Sequence, residues 1–109
     1  MNPDLLRGNL DLILLTILEH QPLYGFAIIQ EARDRTGGYF DVKEGSLYPA
    51  LHRLEHDGLL GALIGEPGRN GKPRKYYAIT DRGHVTLASK RQEFDAFTGA
   101  VHRLGGNGA

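Results

Sequence analysis

Two short stretches of the sequence hold side chains that could do chemistry. The pattern H-x-x-E-H runs from His52 to His56, and two histidines four residues apart lie on the same face of a helix. With Glu55 as general base, this pattern is typical of the inverted zinc peptidases. The second stretch is basic and rich in glycine and proline, and it suits contact with an anion such as a phosphate. Its cations are Arg69, Lys72, Arg74 and Lys75.

The elements that must position these residues begin with two predicted helices. Asn2 suits the N-cap of a helix, Pro3 its first position and Asp4 the positive end of its dipole. This first helix is expected to reach residue 19. It is apolar on nearly all sides, which indicates burial on more than one face. A second helix is predicted over residues 24–36, and a short extended segment over residues 39–42.

The third predicted helix, residues 44–57, carries the H-x-x-E-H pattern. Pro49 is tolerated in it if the proline lies in the first turn, where no amide donor is needed. Leucines at i, i+4 and i+7 mark the inward face, and other side chains point outward. The inward residues are Leu47, Leu51 and Leu54, and the outward ones are Ser46, Tyr48, Pro49, His52, Arg53 and His56.

A β-hairpin is predicted after this helix. Apolar residues run over positions 59–64, and residues 74–80 are rich in strand formers. Residues 65–73 between them are dense in glycine and proline, which is typical of a turn. The basic stretch therefore lies at the tip of the hairpin.

A last helix is predicted over residues 81–104, followed by a flexible tail at 105–109. Apolar residues at heptad-like spacing form a seam along it. Three helices and a hairpin are already a closed unit, so this seam favours an interface between two copies of the chain. The residues of the seam are Leu87, Phe94, Phe97, Val101 and Leu104.

Composition excludes several classes of protein. The chain has 109 residues, the size of one domain, and no cysteine, which excludes disulfides, thiolate nucleophiles and cysteine-based metal sites. The longest apolar run, residues 10–18, is shorter than the about 20 residues of a membrane span. The chain shows neither a secretory signal nor a dinucleotide or phosphate-binding fingerprint. We expect a cytoplasmic protein with no membrane partner and no cofactor.

The charge is zero overall but unevenly distributed. Residues 1–58 hold five basic and nine acidic residues, whereas residues 59–109 hold eight basic and four acidic ones. Three helices followed by a basic hairpin are the plan of a winged helix-turn-helix, in which the third helix reads base edges in the major groove and the hairpin contacts phosphates. We therefore predict a mainly α fold with a small β-hairpin, and double-stranded DNA as its partner.

Four segments also resemble one known family. They are residues 7–10 (RGNL), 24–28 (YGFAI), 45–60 (GSLYPALHRLEHDGLL) and 72–80 (KPRKYYAIT). These segments are similar to the PadR family of bacterial transcriptional regulators, named after a phenolic acid decarboxylase repressor. The resemblance extends from residue 5 to about residue 100, and the third segment is the most specific.

The resemblance implies a homodimeric repressor of a palindromic operator, in the short form with a single C-terminal helix. Residues 1–80 would be the winged helix-turn-helix domain and residues 81–104 the dimerisation helix. Any effector would be a small apolar or aromatic molecule at the dimer seam. Ser46 and Tyr48 would lie at the DNA, with Lys75 on a phosphate. With the outward and basic residues above, the predicted DNA-binding set is Ser46, Tyr48, Pro49, His52, Arg53, Arg69, Lys72, Arg74 and Lys75.

Three alternatives stay open at this point. A peptidase would need a third metal ligand and a substrate cleft, and a chain this short has few residues left to form them, so we predict no enzyme. A regulatory metal site would need mainly the pair His52 and His56. A protein-interaction module would use the last helix to pair with a different protein. The pattern leaves Asp11, a charge within the apolar first helix, undecided between a cap, an ion pair and the interface.

Overall fold

Helices dominate the structure, and a small sheet packs against them. A computed structural model describes residues 2–68 and 70–106 of the chain. Its three strands form one antiparallel sheet in the order β1-β3-β2. None of the helices in these two ranges has the length and apolar character of a membrane span. The elements are α1 (Pro3–Ile17), β1 (Leu23–Tyr24), α2 (Gly25–Asp34), α3 (Glu44–His56), β2 (Leu60–Pro67), β3 (Pro73–Ile79) and α4 (Asp81–Leu104).

Side-chain caps begin the first and last helices where the sequence predicts them. The Asn2 side chain accepts a hydrogen bond from the Asp4 amide at 2.8 Å and so caps α1. The Thr80 hydroxyl accepts from the Gly83 amide at 3.0 Å, and it donates to the carbonyl of Gly58 at 2.7 Å. A cap of this kind stabilises a helix by about 1 kcal/mol. Thr80 therefore starts α4 and also ties it to the end of α3.

The connection between α2 and α3 differs from the prediction. Residues 39–42, predicted as an extended segment, form no strand in the structure. The amides of this segment are used locally: Tyr39 donates to the Thr36 carbonyl at 3.1 Å, and Phe40 donates to the Thr36 hydroxyl at 3.0 Å. The third strand is instead the two-residue β1, which is too short to leave a periodic pattern in the sequence.

Packing of α3 outweighs the cost of its proline. The helix begins at Glu44, so Pro49 lies in its second turn and the prediction of a first-turn proline was wrong. A proline in a helix interior costs about 3 kcal/mol. Burying a leucine contributes about 1.5–3 kcal/mol, and the three leucines of the predicted inward face are fully buried. These are Leu47, Leu51 and Leu54.

The first part of α4 is anchored in the core and the rest projects from it. Its buried residues are Gly83 and Leu87. Arg91 then makes two hydrogen bonds of 2.7 and 2.9 Å to Glu19, just after α1. The radius of gyration of 15.7 Å exceeds the about 13 Å of a compact domain of this size. Leu87, at 1% exposure, belongs to the core of its own chain, so its predicted place at an interface is wrong.

Candidate nucleic-acid interface

The outward face of α3 is polar and open to solvent. It lies opposite the buried leucines, as the spacing predicts. An α-helix fits the major groove of DNA, where hydroxyl and imidazole groups bond base edges and an apolar ring contacts a thymine methyl. The exposed residues of this face are Ser46, Tyr48, Pro49, His52 and His56.

Tyr48 is in addition a contact between α2 and α3. Its ring lies against Gly25, where a Cβ atom would overlap the tyrosine hydroxyl and ring. Burial raises the pKa of the Tyr48 hydroxyl and the Glu44 carboxylate raises it further, so the group stays protonated near neutral pH and can donate. The glycine of the YGFAI segment is therefore required by the close approach of Tyr48, which sets how α2 and α3 meet.

Arg53 does not point freely away from the protein. Its guanidinium makes two hydrogen bonds to the Asp11 carboxylate of α1, at 2.7 and 2.9 Å. This hydrogen bonding raises the pKa of Arg53. A bidentate pair orients both side chains, so Arg53 holds α3 against α1, while a contact of Arg53 with a base stays a prediction. The structure also answers the question of what Asp11 does in the apolar first helix, because its carboxylate forms this ion pair with Arg53.

Lys75 is likewise held by a carboxylate. Its Nζ atom donates to Glu55 Oε1 of α3 at 3.0 Å, and this hydrogen bond raises the pKa of the lysine. Lys75 is the third residue of β3, directly after the turn of the hairpin, so the contact places the hairpin beside α3. We call β2, β3 and their turn the wing. In a zinc peptidase the glutamate of an H-x-x-E-H pattern acts as general base on a water. Here Glu55 instead bonds Lys75, so the glutamate of the pattern belongs to the contact between α3 and the wing.

Arg74 and Lys72, the other described cations of the wing, form no salt bridge with a described carboxylate. Arg74 lies 4.3 Å from the centroid of the Tyr24 ring. Tyr24 in turn meets Tyr76 edge-on at 5.4 Å, since β1 and β3 pair these two residues. Such stacking orients a guanidinium and leaves its hydrogen-bond donors available to a phosphate. Lys72 is exposed at the turn, and Arg69 lies outside the described residues.

Four of the five seam residues are exposed in the single chain. They lie on the part of α4 that projects from the core. Leu5 of α1, itself 53% exposed, lines one groove together with Phe94 and Phe97. An apolar stripe on a small soluble protein is typical of an interaction surface. We call it the α4 stripe; its exposed fractions are 42% for Phe94, 67% for Phe97, 48% for Val101 and 89% for Leu104.

An apolar cavity of about 450 Å³ lies between α1 and α2, and sequence reasoning missed it. Polar residues also line it, among them Glu31 and Arg35, whose side chains are 3.9 Å apart. Its volume falls within the range of about 300–1,000 Å³ that is usual for small-molecule sites. The apolar part of its wall comes from Leu5, Leu12, Ile13, Ile17, Ala32, Phe40 and Phe94, with Tyr39 beside them.

Sequence reasoning also missed the carboxylates that hold the two cations. Asp11 and Arg53 are 42 residues apart, and Glu55 and Lys75 are 20 apart. Neither separation leaves a periodic signal, because both pairs form only when separate elements pack. The two pairs nevertheless hold two of the predicted DNA contacts, so they shape the candidate interface.

Together, the three-helix unit, the polar outer face of α3 and the basic wing beside it define a winged helix-turn-helix protein. The chain belongs to the transcriptional regulator PadR-like family, whose model matches residues 14–89. Members of this family are DNA-binding regulators without enzymatic activity. The predicted family and fold class are thereby confirmed, and the chain is a transcription regulator.

Known proteins resemble the chain over most of its length. Transcriptional regulator Rv3488 of Mycobacterium tuberculosis is 36% identical over 95 residues, which covers 84% of this chain and 82% of that protein. A transcriptional regulator from Clostridium thermocellum has a TM-score of 0.85 at 30% identity, covering 94% of this chain and 96% of its own. A PadR family regulator from Eggerthella lenta has a TM-score of 0.81 at 33% identity, covering 93% and 85%.

Proposed function

We propose that this protein is a homodimeric repressor that recognises a palindromic operator through α3 and the wing. The observation that carries the proposal is the contact between Lys75 of β3 and Glu55 of α3, at 3.0 Å. It brings the polar face of one helix and a basic hairpin side by side on one protomer. A major groove and the phosphates next to it present the matching surfaces.

Within this interface the two elements have different tasks. Side chains of α3 contact base edges and so distinguish sequences, whereas cations of the wing contact phosphates and add affinity without sequence information. Arg53 also orients α3 through its pair with Asp11. The proposed helix contacts are Ser46, Tyr48, Pro49, His52 and Arg53, and the proposed wing contacts are Arg69, Lys72, Arg74 and Lys75.

A second copy of the chain completes the DNA-binding unit. The α4 stripe projects from the core with its apolar side chains uncovered. A two-fold interface would bury these side chains from both protomers at once. In this proposal residues 1–80 are the DNA-binding domain and residues 81–104 the dimerisation helix. The dimer acts in the cytoplasm and presents two α3 helices to one face of the duplex.

Selection of bound duplexes from random DNA with the purified protein tests this function. We expect enrichment of a palindrome whose half-site centres are about 34 Å apart, one turn of the duplex. Absence of any enriched sequence would favour a protein-interaction module. An enriched single half-site without symmetry would contradict the dimer while retaining DNA binding.

The cavity between α1 and α2 supports a second role, the binding of a small apolar or aromatic effector. Phe94 lines the cavity and also belongs to the α4 stripe, so a ligand there would touch the dimer seam. We expect the dye 1-anilinonaphthalene-8-sulfonate to bind with enhanced fluorescence. Thr16→Phe, which fills the cavity, should abolish the signal, and Ser89→Phe on the exposed opposite side of α4 should retain it. Equal signals from both variants would contradict the site.

A further inference from the structure

One ion pair joins α3 to the wing. Lys75 Nζ donates to Glu55 Oε1 at 3.0 Å, and the same ammonium lies 5.2 Å from the centroid of the Tyr77 ring. Across residues 2–68 and 70–106, this is the salt bridge that links the two elements. A helix in the major groove and a wing on neighbouring phosphates leave the DNA backbone to pass between them. In the proposed complex with DNA, the pair would therefore lie in the path of the backbone.

Both members of the pair remain accessible to DNA. The Lys75 side chain is 41% exposed and that of Glu55 is 34% exposed. Ion pairs at such exposure change an equilibrium by about fivefold or less. A phosphate offers the lysine another anion, so DNA can take the place of Glu55. The free energy lost with the Lys75–Glu55 contact then reduces the affinity that the contact of Lys75 with a phosphate adds.

We propose that Glu55 sets the affinity for DNA by competing with a backbone phosphate for Lys75. The inference rests on the proposed DNA binding. When Lys75 moves from Glu55 to a phosphate, the uncovered carboxylate lies beside the same stretch of backbone, so the two side chains together bring almost no net charge to the DNA. Lys75 thus adds affinity with almost no salt dependence. A wing lysine without a carboxylate partner would add about 0.9 to the slope of log affinity against log salt concentration.

Glu55→Gln tests the proposal, since it removes the charge and keeps the shape of the side chain. On the selected operator and on a scrambled duplex, we expect binding to tighten by up to about 25-fold per dimer, from about fivefold in each protomer. The salt slope should steepen by about two per dimer between about 50 and 200 mM salt. Lys75→Ala should weaken binding and leave the wild-type slope. In the double variant both effects of Glu55→Gln should disappear.

Asp34→Asn is the matched control, because it removes one exposed negative charge at the end of α2 and leaves the ion pair between α3 and the wing intact. It should change neither affinity nor slope. A Glu55→Gln variant that folds normally by urea titration but keeps the wild-type slope, or binds more weakly, would overturn the inference and show a structural tie. A wild-type protein that selects no DNA would overturn the proposed function, and this inference with it.

Discussion

Replacing Phe97 with aspartate is expected to convert the protein from a dimer to a monomer. Phe97 lies in the middle of the α4 stripe and is 67% exposed in the single chain. Burying a phenylalanine contributes about 1.5–3 kcal/mol, and a two-fold interface uses it twice. Loss of both copies raises the dimer dissociation constant by about two to four orders of magnitude. The aspartate charge adds a desolvation cost in the same direction.

Light scattering and sedimentation across a range of protein concentrations measure this effect. The operator affinity should fall together with the dimer, because a monomer presents one α3 helix to a two-fold site. Gln92→Asp is the control, since it adds the same charge to α4 on the exposed side away from the stripe. It should stay dimeric. A wild-type protein that is monomeric at micromolar concentration, or a Phe97→Asp variant that stays dimeric, would contradict the interface.

Those parts of the fold that rest on local signals could be predicted from the sequence. Long apolar periods and caps located α1, α3 and α4, and the turn-rich segment located the hairpin. The strand β1 could not be predicted, because two residues carry no period and its pairing with β3 lies about 50 residues away in the chain. The position of Pro49 was mispredicted for a related reason, since burial of α3 outweighs a local propensity.

The candidate interface was predicted as a set of surfaces but not as a set of free groups. Spacing alone placed the outward face of α3 and the basic wing. It could not show that Arg53 and Lys75 each have a carboxylate partner, because those partners lie on other elements. Leu87 shares the period of the seam but lies where α4 still packs on the core. A helical period identifies a face, and only packing shows which part of that face remains uncovered.

Gly83→Ala is expected to destabilise the protein strongly, although alanine is the better helix former by about 1 kcal/mol. Gly83 lies in the first turn of α4. A Cβ atom there would overlap the Leu59 carbonyl oxygen and lie 2.7 Å from Ile79 Cγ1. That carbonyl cannot move aside easily, because it accepts the Thr80 amide at 3.1 Å. Overpacking of this kind costs about 1–3 kcal/mol or more, and it pushes α4 away from the wing.

Gly99→Ala in the same helix provides the matched comparison. Its Cβ atom would meet only the end of the Arg103 side chain, at 3.4 Å, which can move. The helix propensity then acts alone, so the free energy of unfolding should rise by about 1 kcal/mol. Urea titrations at one protein concentration measure both variants, since dimerisation makes apparent stability depend on concentration. If Gly83→Ala were as stable as Gly99→Ala, α4 would not be docked on the Leu59 carbonyl, and the wing and the dimerisation helix would not be rigidly joined.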